Sequence, residues 1–155
     1  MKTFESTLKT KRILKTATMQ TVITTIAILF SAFMLQAQNT ITVSMHNFDN
    51  DKGTVKVGLY DSEGNFLNKE FMTRGATISG EKAAVTFTDV PDGTYAISCY
   101  HDENDNDKLD MMMGIMPSED YGCSNGAKGF FGPPKWKDAK FTIENGETKA
   151  IDIKL

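Results

Sequence analysis

The strongest constraint on the fold is a period of two in the apolar residues, which starts near Asn39 and returns in one short run after another. Ile41, Val43 and Met45 alternate with Thr42 and Ser44, and Val55, Val57 and Leu59 alternate with Lys56 and Gly58. Successive side chains of a strand point to opposite faces, so such runs, rich in β-branched residues, describe strands with one buried face. Residues 82–88 continue the pattern with Val85 and Phe87 inward. Beyond the turn Val90-Pro-Asp-Gly-Thr-Tyr95, the residues Tyr95, Ile97 and Cys99 share one face. In that turn proline presets one dihedral and glycine permits a positive one.

A shorter strand is expected at 76–79. Residues 65–73, with Phe66, Leu67, Phe71 and Met72, read as a loop or single helical turn capping the core. Phe141 and Ile143 lead through Asn145-Gly146 to Ile151, Ile153 and Leu155, and Asn-Gly between alternating runs predicts a hairpin. The expected fold is all-β: about seven antiparallel strands in two sheets packed face to face, an immunoglobulin- or transthyretin-like β-sandwich.

The N-terminal region has a different character. Lys2, Lys9, Lys11, Arg12 and Lys15 form a basic stretch, Val22 to Leu35 carries no charge, and Gln36-Ala37-Gln38 offers small or polar residues for cleavage. This is the layout of an export signal, with residues 1–38 as signal peptide and 39–155 as a single domain. The apolar run falls short of the ~20 residues that span a bilayer, so no stable membrane span is expected after signal removal. The expected location is outside the cytoplasm, periplasmic or secreted.

Charge then narrows the partners. Residues 39–155 hold 12 Lys+Arg and 19 Asp+Glu, a net 12 − 19 = −7. Nucleic acid is a poor partner for such a surface, and none is expected. The acidity is local, because residues 102–120 carry seven acids and one lysine. These acids open a stretch, 101–137, without strand periodicity. An irregular insertion of that length in a small domain is usually functional or disordered, and Tyr121, Phe130, Phe131 and Trp136 favour order because they need burial.

Within it, Asp102, Asn104, Asn106, the Lys108 carbonyl and Asp110 fall at positions 1, 3, 5, 7 and 9 of an EF-hand-type loop, where oxygens surround one calcium ion at about 2.3–2.6 Å. Position 6, ordinarily glycine, is Asp107, and position 12, ordinarily a bidentate glutamate, is Met113. Glu119 or Asp120 is available as the missing ligand. The flanking segments are a strand and a loop, which excludes an EF-hand proper. The alternative is a solvated acidic loop held by asparagine–backbone hydrogen bonds.

Other chemistries compete for the same region. His101, Met111, Met112, Met113, Met116 and Cys123 are soft donors suited to Cu(I), unless the methionines fill gaps in the core. Cys99 and Cys123 form an even pair open to a disulfide, or are a core residue and a free thiol. Phe130, Phe131 and Trp136 make either an exposed aromatic surface for glycans or partner side chains, or a lid on the domain. Catalysis has little support: residues 39–155 hold only His46 and His101, with no Gly-x-Ser-x-Gly elbow, phosphate loop or zinc spacing.

His101-Asp-Glu-Asn-Asp-Asn106 through Lys108-Leu-Asp110, then Gly114-Ile-Met-Pro117, Tyr121-Gly122, Ser124-Asn125, Ala127-Lys-Gly-Phe-Phe-Gly-Pro-Pro134 and Asp138-Ala-Lys-Phe141, resemble the exported bacterial family called domain of unknown function 2141. The likeness covers essentially all of residues 39–155. It implies an exported β-sandwich and no established activity. Two departures stand out: the family usually has glycine at the position of Asp107, and apolar residues around positions 99 and 123. The turn Val90–Tyr95 also resembles that of transthyretin-like sandwich domains.

The reading that results is an exported, non-enzymatic β-sandwich with a calcium-stabilised acidic loop, binding a partner protein or an envelope glycan. The alternatives are a carbohydrate-processing hydrolase using the loop carboxylates and aromatics, and a periplasmic copper-binding protein.

Overall fold

The structure is a computed structural model and describes residues 18–27, 38–114, 116–129 and 132–155. The chain divides into two compact units, Met1–Gln36 and Ala37–Leu155. Residues 18–27 of the first are helical, and the rest of that unit lies outside the described residues. Among the described residues no helix is long and apolar enough to cross a membrane.

The second unit is mostly β. Its main strands are β1 (Asn39–His46), β2 (Thr54–Tyr60), β3 (Met72–Thr77), β4 (Lys82–Val90) and β5 (Gly93–Asp102). After them come three very short strands, β6 (Met111–Met112), β7 (Met116–Pro117) and β8 (Tyr121–Cys123), and then β9 (Phe141–Ile143) and β10 (Thr148–Lys154). One sheet has the order β10-β1-β4 and the other β3-β2-β5-β8, with β9 also pairing β5, while β6 and β7 form a separate two-stranded ribbon. Neighbours run antiparallel except β1 and β10, which are parallel.

The alternation fixes which faces are inward. Ile41, Val43 and Met45 of β1, Val85 and Phe87 of β4, and Ile151 and Ile153 of β10 share one buried cluster with residues of the other sheet. Those are Val55, Val57 and Leu59 of β2, Tyr95, Ile97 and Cys99 of β5, and Phe141 and Ile143 of β9. Each fully buried side chain of this size contributes about 1.5–3 kcal/mol against leaving it in water. A second, smaller cluster holds Tyr60, Phe66, Ala96, Cys123, Ala127 and Ala139, with Leu67 and Trp136 packed against it. Ala96 lies between Tyr95 and Ile97 on β5, so this cluster covers the opposite face of the same strand.

Three expectations need correction. Asn145 and Gly146 do form the left-handed turn, with φ of 62° and 71°. The flanking strands are not a hairpin, because β9 pairs with β5 and β10 runs beside β1 in the other sheet. Side chains hold that crossing: Asn39 Oδ1 accepts from Glu147 N at 2.8 Å, and Asp92 Oδ1 accepts from Asn145 N at 3.0 Å. The strand expected at 76–79 instead spans Met72–Thr77, set by Leu59 opposite Met72 and Thr54 opposite Thr77. Its Thr73, Arg74 and Gly75 are exposed, which hides the period of two. Of the loop or turn expected at 65–73, Met72 and Thr73 belong to β3 and Phe71 is exposed, while Phe66 is buried in the smaller cluster with its ring 5.3 Å from that of Tyr60.

Candidate metal centre

The acidic loop begins inside a strand. His101 and Asp102 are the last residues of β5, where Val55 and Thr54 of β2 lie opposite them. The turn before β2 presses on this end of the strand. A Cβ at Gly53, whose φ is +62°, would stand 2.0 Å from the Asp102 carbonyl oxygen, so only glycine fits there. His101 is wholly buried, with its ring edge-on to Phe48 at 5.3 Å and Nε2 donating to the Lys52 carbonyl at 2.7 Å. Among the described residues its Nδ1 meets no hydrogen-bond partner.

Asp102 is also 0% exposed, and its carboxylate organises the turn that comes after it. Oδ1 accepts from Asn106 N at 2.9 Å and Oδ2 from Asp107 N at 3.0 Å. Lys56 Nζ stands 3.7 Å from Oδ2 and also pairs with Asp107, whose carboxylate raises the lysine pKa. The loop turns sharply here, with φ of 54° at Asp105 and 61° at Asp107. Asp107 thus adopts the left-handed conformation that glycine supplies in calcium loops, which aspartate tolerates better than most residues.

The asparagines close the ring. Asn104 Oδ1 accepts from Asn106 N at 3.1 Å, and Asn106 Oδ1 from Lys108 N at 2.8 Å. Their amide nitrogens both donate to Asp110, Asn104 to Oδ2 at 2.7 Å and Asn106 to Oδ1 at 3.0 Å. Asp102, Asn104, Asn106 and Asp110 therefore gather through one hydrogen-bonded network, with the Lys108 amide in the same turn. Glu119 fastens both ends: it is 8% exposed, and it accepts from Glu103 N at 3.1 Å and Asp110 N at 2.9 Å. Asp120 lies near Asp49 and His101 instead, and burial, with the Asp49 charge, raises its carboxyl pKa. Met113, at position 12, is 92% exposed.

The donor set fits a hard cation in kind. Each amide oxygen has two lone pairs, so Asn104 and Asn106 can accept a backbone N–H and still ligate. Among the described residues, however, no three His, Cys, Asp or Glu side chains are grouped closely enough to hold a metal. Each Asp110 carboxylate oxygen accepts one amide donor and likewise keeps lone-pair capacity for a cation.

The other candidates are dispersed. Cys99 and Cys123 are both buried free thiols. In the register of β5 and β8, Cys99 faces Gly122 and Cys123 faces Ser98. That one-residue offset sends the thiols to opposite faces of the sheet, Cys99 into the main core and Cys123 into the smaller cluster. Burial raises the pKa of both. His101 and Cys123 are thus buried away from the solvent in which Met111, Met112, Met113 and Met116 stand. Trp136 is half-buried with its ring 5.8 Å from that of Phe66, while Phe130 and Phe131 lie outside the described residues.

Three residues that hold this region together are not marked by any spacing in the sequence. Lys56 and Gly53 belong to a different strand and turn, and only the β2–β5 register brings them under the loop. Ser124 ties the end of the insertion down: its Oγ accepts from Ile97 N at 2.9 Å and donates to the Ala139 carbonyl at 2.6 Å.

A family model for an uncharacterised protein conserved in bacteria, DUF2141, matches residues 43–151. The chain belongs to this family. The matched span contains β2 to β9, the whole acidic loop and the insertion, so the clasp around Asp102 and Glu119 is part of the family domain. No curated protein and no solved structure matches the chain.

Proposed function

We propose that this DUF2141 protein is an exported, non-enzymatic β-sandwich whose acidic loop captures calcium and is thereby ordered to bind a partner protein or an envelope glycan. One observation carries the reading: the side chains of Asp102, Asn104, Asn106 and Asp110 meet in a single network over a buried carboxylate. Five acids within residues 102–110 repel one another, and two unit charges ~6 Å apart in water cost about 0.7 kcal/mol before salt screening. A divalent ion removes that repulsion. The site needs only a dissociation constant on the order of 10⁻⁴–10⁻³ M, the range of extracellular calcium modules.

The same network weighs against the hydrolase reading. Asp102 and Glu119 direct their carboxylate oxygens at backbone amides of their own loop, and Asp110 at its asparagines. A glycosidase needs two carboxyls facing each other across a cleft, about 5–9.5 Å apart.

Calorimetric titration of calcium into the metal-stripped full-length chain tests the proposal. The expected result is a saturable heat and a rise in melting temperature at millimolar calcium, both absent with Asp110→Ala. No heat and no thermal shift at that concentration overturn it.

A further inference from the structure

Immediately after the acidic loop the chain does something unusual with its methionines. Met111, Met112, Met113 and Met116 are 45%, 56%, 92% and 62% exposed, whereas Met45 sits in the core at 1%. Methionine is ordinarily an inward gap-filler, and four within six positions on a surface ribbon leave its packing role unused. The ribbon is held at its base, where Ser118 N donates to the Asp110 carbonyl at 2.8 Å.

The register decides which thioethers can act together. Met112 is the direct cross-strand partner of Met116, whereas Met111 pairs with Pro117. Direct partners leave the same face of a ribbon with Cβ atoms about 4.5–5.5 Å apart. Each methionine then has three rotatable bonds with which to bring its Sδ onto a shared point. A thioether is a soft, neutral donor with no proton to lose. It is a poor ligand for calcium and a good one for closed-shell monovalent ions of the copper group. His101 and Cys123 take no part, because both are buried elsewhere.

We propose that Met112 and Met116 form a surface thioether site for Cu(I), separate from the oxygen donors of the preceding loop and independent of whether that loop binds calcium. The ion lies between the two sulfur atoms on one face of the β6–β7 ribbon. Leucine at either position keeps the apolar surface and removes the donor, which separates metal binding from simple hydrophobic exposure.

The test uses the full-length chain labelled with ¹³C at the methionine methyl groups and titrated with Ag(I), a redox-stable ion of the same class. The Met112 and Met116 methyl resonances are expected to shift together and saturate along one curve while that of buried Met45 stays in place. Met112→Leu and Met116→Leu should each weaken binding at the remaining partner by about tenfold, equivalent to about 1.4 kcal/mol. The proposal is overturned if the two resonances stay fixed, if only one of them moves, or if either leucine variant leaves the curve unchanged. Both side chains are exposed, so the variants keep the fold, and unaltered core methyl resonances verify this in the same spectra.

Discussion

The acidic loop and the methionine ribbon are consecutive segments of one insertion, and at Asp102 and the methionines they invert the usual partition of polar and apolar residues. Asp102 is wholly buried, whereas Met113 is among the most exposed large apolar residues described. Hydropathy alone predicts the reverse. What decides each case is whether a site supplies partners. The Asp102 carboxylate receives two backbone N–H groups and a nearby ammonium, which offsets the cost of removing a charge from water. The methionines lie on a ribbon of two residues per strand, too narrow to bury a face of its own. Within residues 102–117 the network around Asp102 and Glu119 thus forms the anchored segment and the methionines the projecting one.

The sharpest break of that contrast is Asp102→Ala. It leaves the N–H groups of Asn106 and Asp107 without their acceptor and Lys56 without its buried partner. Urea unfolding should show a loss of about 2–3 kcal/mol, the cost of stranding hydrogen-bonded groups at a partly buried site. A loss below about 0.5 kcal/mol would mean that water replaces the carboxylate freely and that the loop is not anchored through it.

A smaller effect is expected at the other end of the clasp. Glu119→Gln keeps the shape and one oxygen, but turns an NH₂ group towards the N–H of either Glu103 or Asp110. Two donors then face each other at a nearly buried site, at a cost of about 1–2 kcal/mol by the same measurement. An unchanged unfolding midpoint would refute the role of Glu119 as the fastener of the loop.

Much of the fold was legible in the sequence wherever one face is buried and the other wet. The inward sets of β1 and β4 follow from period two alone, whereas β2 and β5 also bury Tyr60 and Ala96 on the face that the alternation assigns to the outside. The exit from β9 was not, because an Asn-Gly turn looks the same whether the next strand returns to its neighbour or crosses to the other sheet. The choice rests on tertiary hydrogen bonds from Asn39 and Asp92, more than 50 residues away in one case and more than 100 in the other. At the candidate site, the spacing of Asp102, Asn104, Asn106 and Asp110 was readable because local side-chain-to-backbone bonds follow sequence distance. Asp107 reads as a departure, yet the backbone takes the left-handed turn there, with Lys56 pairing its carboxylate. The contacts of Lys56 and Gly53 with the loop were not legible, because strand register, not spacing, brings them in.

The smallest expected effect belongs to the projecting segment and sharpens the comparison from the other side. Met113→Ser replaces a large apolar side chain that is 92% exposed. Removing a side chain that already lies in water forfeits little burial, and surface changes away from caps and buried networks fall within about 0.5 kcal/mol. The unfolding midpoint should therefore match that of the parent, and the calcium response of the neighbouring loop should be unchanged, because the ring of Asp102, Asn104, Asn106 and Asp110 closes without it. A destabilisation above about 1 kcal/mol would show that Met113 is packed in solution, and the division into an anchored acidic loop and a projecting methionine ribbon would fail.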